Sequence, residues 1–111
     1  TRLRKASIED VRVADELFKK NQLDGAIDRY RHAVSTNPTL ADARVGLARS
    51  LEKQPKATSS MISEAAQQYQ NYLNLKPTLP MNDMKKMNEN IAKLRDKAAK
   101  LAEKETKTKR G

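Results

Sequence analysis

Cysteine and tryptophan are absent from this 111-residue chain, which has one phenylalanine, three tyrosines, three glycines, four prolines and one histidine. Without cysteine there is no disulfide framework, no thiolate zinc site and no cysteine nucleophile. With so few glycines and prolines, the repeated tight hairpins of an all-β fold have no turn residues to build on. The shortage of aromatics leaves the core to Leu, Ala, Val and Ile. No run approaches the ~18 apolar residues that suggest a membrane span, and no signal-peptide pattern is visible. The lone His32, between Arg31 and Ala33, has no second histidine for a metal site and reads as a solvated surface residue. No Gly-rich phosphate loop and no nucleophile–base arrangement appears, so no catalytic residue, metal or cofactor is expected and the chain reads as a non-enzyme. Composition leaves the compartment open. The chain opens at Thr1 rather than Met, as a fragment or processed product would. A cytoplasmic setting is slightly favoured over a lumen, which would suit part of a larger secretory-pathway protein.

Acidic charge is scarce only at the ends. The net charge of +9 comes from residues 1–6, with Arg2, Arg4 and Lys5 and no acid, and from residues 85–111, with ten basic and four acidic side chains. Residues 7–84 carry ten of each sign and are neutral. A dedicated nucleic-acid domain would put its positive field on the folded surface. A neutral body with basic extensions is the expectation here, with a basic N-terminal extension at 1–6 and a basic tail at 106–111.

What the chain does have is apolar residues at helical spacing. Ile8, Val11, Val13, Ala14, Leu17 and Phe18 form a first stripe, with Ser7 as the expected N-cap and Glu9 and Asp10 in a dipole-favoured first turn. Ala26, Ile27, Tyr30, Ala33 and Val34 form a second, stopped by Asn37-Pro38. Leu40, Ala43, Leu47, Ala48 and Leu51 form a third. Residues 53–60 are polar, contain Pro55 and read as a loop, with Thr58, Ser59 and Ser60 as caps for a fourth helix through Ile62, Ala65, Ala66, Tyr69, Tyr72 and Leu73. A fifth runs over 78–105 after Pro80. The prediction is all-α: five helices and no strand.

Val13-Ala14, Leu17, Ala26, Tyr30, Ala33 and Pro38 fall where the tetratricopeptide pattern W-x₂-L-G-x₂-Y…A-x₃-F…P places its residues, and residues 7–40 resemble one such repeat. Leu47-Ala48, Leu51, Ala65, Tyr69 and Pro77 resemble a second over 41–77, lengthened by the loop at 53–60. The Trp position holds Asp10 and Arg44, and the Gly position holds Ala14 and Ala48. The resemblance implies an α-solenoid of two helix pairs over 7–77, followed by a long capping or extended helix. It implies a protein-interaction module, an adaptor or scaffold, whose first helices line a concave groove for a peptide or helix of another protein. Carried over by helix face, the groove residues are Val11, Asp15, Phe18 and Lys19 from the first pair and Val45, Arg49, Glu52 and Lys53 from the second. The family's grip on chaperone C-terminal carboxylates is not expected, because Val11, Asp15 and Val45 stand where Lys and Asn would be needed. Residues 40–77 are also similar to the luminal helical repeats of aspartyl/asparaginyl β-hydroxylases. That similarity implies a noncatalytic region of such a protein.

In the fifth helix Met84, Met87, Ile91, Leu94, Ala98 and Leu101 alternate steps of three and four, the heptad pattern. Its first half is expected to cap the second pair, as the last unit of an array requires. Leu94, Lys97, Ala98, Lys100, Leu101 and Lys104 are then expected to be free for contacts, either self-association or, less favoured, nucleic acid or an anionic membrane surface. Lys93, Lys97, Lys100 and Lys104 make a basic edge with no aromatic beside it, which argues against base stacking.

Overall fold

A computed structural model describes residues 2–76 and 78–110, and the side chains of all of these but 109 and 110. Five helices follow one another: α1 (Arg2–Lys19), α2 (Leu23–Thr36), α3 (Ala41–Lys53), α4 (Ser59–Leu75) and α5 (Met81–Arg110). No strand occurs among the described residues. The all-α architecture of paired helices and a long final helix is therefore the one that the periodicity predicts. Pro77, read as the second repeat's terminal proline, lies outside the described residues.

The turns have local causes. Asn21 adopts a left-handed backbone, φ 60°. Around it the Asn21 N–H donates to the Phe18 carbonyl at 2.9 Å and the Gln22 N–H to that of Leu17 at 2.8 Å. This is a Schellman closure, with Asn in the place where glycine is commonest. At the start of α4 the Thr58 side chain accepts from the Met61 N–H at 3.2 Å, a side-chain N-cap.

Each helix packs on the next, and α1 also touches α3. Small residues bring the backbones together: Ala14, Ala26, Ala33, Ala43, Ala48 and Ala65 are completely buried. Leu47, Leu51 and Ile62 fill the centre, and Tyr30 and Tyr69 occupy the spaces between successive pairs.

Ser7 is not an N-cap: α1 begins at Arg2, and Ser7 is buried on its inner face with Asp10 and Ala14. Its hydroxyl donates to the Arg4 carbonyl at 2.7 Å and accepts from Asn37 Nδ2 at 3.3 Å, so a polar residue inside a helix is satisfied. Glu9 and Asp10 accordingly lie beyond the first turn, and residues 2–6 are helix rather than an extension. The loop contracts to residues 54–58, because Lys53 closes α3 while Ser59 and Ser60 open α4.

The apolar stripe of α5 does not divide into a capping half and a free half. Ile91, Leu94 and Ala98 are 3%, 4% and 5% exposed, and Leu101 packs against the same core. Because α5 runs back along α4, Glu105 arrives at the first residue of α4. There its carboxylate accepts from the Ser59 N–H at 3.0 Å and from the Ser59 hydroxyl. Leu94 and Ala98 are consumed within the chain. Residues 106–110 continue α5 rather than forming a separate tail, and Lys107 stands exposed on that helix.

Candidate binding groove

Two clefts open on the same side of the helix array. The first lies between α1 and α3 over a floor made by Tyr30, and it encloses about 400 Å³. Asp15, Phe18 and Lys19 come to it from α1, and Asp42, Val45, Gly46 and Arg49 from α3. These are positions three or four apart, one exposed edge of each helix. The second, about 380 Å³, lies between α3 and α5, with Tyr69 and Tyr72 of α4 in its lining. Arg49 borders both.

The floor tyrosines are fixed at both ends. Tyr30 lies against Gly46, where an added Cβ would stand 2.3 Å from Cε1. Its hydroxyl donates to Asp15 Oδ1. Tyr69 donates to Glu52 Oε2 at 2.6 Å, and Glu52 also accepts from Asn90 Nδ2 at 3.4 Å, which ties α3 to α5. Burial raises the pKa of both phenols, and the bond to a carboxylate raises it further. The Arg49 charge opposes this at both rings. Arg49 itself is exposed and, among the described residues, has no carboxylate within 4.0 Å.

Of the eight groove residues expected from sequence, Asp15, Phe18, Lys19, Val45 and Arg49 meet in the first cleft. The other three do not line it. Val11 packs on the core, Glu52 holds Tyr69, and the Lys53 ammonium sits 4.9 Å from the centroid of the Phe18 ring. Phe18 is half-buried, so its ring is shared between core and cleft.

Sequence reading missed Tyr30 and Gly46 as lining residues, although both carried a signal. A phenol at a core position needs a partner for its hydroxyl, and a lone glycine inside a helical pattern marks a close approach. It also missed Asp10. That carboxylate is only 8% exposed, and it accepts from Arg29 Nη1 at 3.1 Å and pairs with His32 Nδ1. His32 is exposed as expected, but its ring is engaged. No group of three or more His, Cys, Asp or Glu able to hold a metal occurs among the described residues. No helix is long and apolar enough to cross a membrane.

Residues 14–54 match the family model described as TPR repeat. Over these residues the chain is similar to a tetratricopeptide repeat. The match begins in α1 at Ala14, spans α2 and α3, and ends beside the loop before α4, so it takes in all residues of the first cleft. No curated protein and no solved structure matches the chain. Neither comparison supports the similarity of residues 40–77 to β-hydroxylase repeats. Repeats of this family suggest a protein-interaction module, and here helices α1 and α3 carry most of the lining of the first cleft.

Proposed function

We propose that the module is a noncatalytic adaptor or scaffold, holding a segment of another protein in the groove formed by the two clefts, with Arg49 at their junction. The observation that carries this is the exposed, unneutralised Arg49 between two clefts lined by half-buried Phe18, Val45, Tyr72 and Met87. Tyrosine and arginine are among the residues enriched where binding energy concentrates in protein interfaces. The mixed lining suits a peptide or single helix, recognised by pockets for a few side chains.

A photo-crosslinking residue at Val45, in the first cleft, should capture a partner from native extract, whereas the same residue at exposed Arg31 on α2 should not. Arg49→Glu should reduce that crosslink while leaving the thermal melt nearly unchanged, because Arg49 holds no ion pair in the fold. Capture at Arg31 that equals capture at Val45, or capture indifferent to Arg49→Glu, would place the binding surface elsewhere.

A further inference from the structure

We infer that the segment taken by this groove is acidic and amphipathic, with its acids along a lysine row of α5 and its apolar side chains in the clefts; this rests on the groove reading above. At 3.6 residues per turn, Lys86, Lys93, Lys97, Lys100, Lys104 and Lys107 fall within an arc of about 80° on α5. All six are exposed. The row starts at the groove, where Lys86 lines the second cleft, and runs on along α5, where Lys93, Lys97 and Lys104, with Asp96 and Lys100, line a separate hollow beside half-buried Leu101. Lys100 and Lys107 are answered by Asp96 and Glu103. Lys86, Lys93, Lys97 and Lys104 have no carboxylate within 4.0 Å among the described residues. Four unanswered cations therefore stand in line beside Met87 and Leu101.

An acidic polypeptide fits this edge better than a nucleic acid does. The row contains no Arg, and no aromatic accompanies its C-terminal half for a base to stack on. The steps from Lys86 through Lys93 and Lys97 to Lys104 are about 10, 6 and 10 Å along the axis. Acids spaced one or two turns apart on a partner helix match them, and apolar residues between those acids would meet Met87 and Leu101. A peptide that is acidic throughout leaves those apolar surfaces uncovered.

The test is selection of random 12-residue peptides, displayed on phage, against the full chain and against its Lys93→Gln/Lys97→Gln/Lys104→Gln variant, whose fold is checked by thermal melt. Selected peptides are expected to combine Asp or Glu with apolar residues. A synthetic peptide of the enriched sequence should bind the variant about tenfold more weakly, and the unmodified chain more weakly as salt rises. Loss of that peptide on Arg49→Glu would support a shared groove. Enriched peptides without acids, or affinity indifferent to the lysine substitutions, would overturn the inference while leaving the groove reading standing. No enrichment at all would overturn both. Tighter binding of a fifteen-nucleotide oligothymidylate than of the peptide, lost in the lysine variant, would replace the acidic peptide with nucleic acid.

Discussion

Two glycines in helices should respond to the same substitution with opposite signs. Ala is favoured over Gly inside a helix by about 1 kcal/mol. At Gly25 the added methyl would meet the flexible end of Leu17, with Cδ1 at 3.2 Å, so Gly25→Ala should be neutral or stabilising by up to about 1 kcal/mol. At Gly46 it would meet the Tyr30 ring at 2.3 Å, and that ring cannot swing away while Asp15 holds its hydroxyl. Overpacking should outweigh propensity, and Gly46→Ala should lose about 1–3 kcal/mol in urea unfolding. A stabilised Gly46→Ala protein would mean that Tyr30 does not lie on α3. The tyrosines also set the alkaline limit. A phenol titrates ordinarily at 10.0, and burial, then the bonds to Asp15 and Glu52, raise Tyr30 and Tyr69 above that. The neutral form is the one that the fold prefers. Its contribution is whole below pH 10 and is lost as pH rises above 10 towards the folded-state values. Stability followed by denaturant against pH should fall on the alkaline side of 10, and Tyr30→Phe with Tyr69→Phe should remove most of that fall.

At the scale of the element, α5 decides whether the second pair is covered. Ile91 and Leu94 are as buried as the central leucines, and truncating either to Ala should cost about 2–5 kcal/mol. Leu101 is partly exposed, so Leu101→Ala should cost less, about 1 kcal/mol. Thermal melts of the three variants give the order directly. A Leu101→Ala protein with an unchanged melt would mean that α5 leaves the body before its last turns. The heptad spacing made the stripe legible, but not its length of contact. A stripe of threes and fours is the same whether a helix lies on its own chain or on another. What decides is antiparallel pairing with α4, which brings Glu105 onto the open N–H of Ser59.

For the whole molecule, packing is mostly between helices adjacent in sequence, as in a helical array, and one apolar core runs through all five helices. Removing a terminal element then exposes the face of the next. A chain ending at Pro80 would uncover the side of α4 that α5 covers, and it should lose its cooperative thermal transition by circular dichroism. If that shortened chain melts as sharply as the whole, the capping role of α5 fails.

The periodicity of the apolar residues and the stops at Asn37-Pro38 and Pro55 were enough to place five helices and to find the repeat, because helix formation and termination are local. Five of the residues that the family resemblance implied for a groove, Asp15, Phe18, Lys19, Val45 and Arg49, do line one cleft, since helical spacing keeps them on one edge of α1 and of α3. The pairings were not legible. Whether Ser7 caps a helix or sits inside one depends on Asn37, 30 residues away. Whether His32 is merely solvated depends on Asp10, 22 residues away. Arg2, Arg4, Lys5 and Lys107, counted with basic extensions, stand on the helices α1 and α5. Side-chain partners across helices are chosen by the crossing of the elements, and that crossing exists only in the tertiary structure.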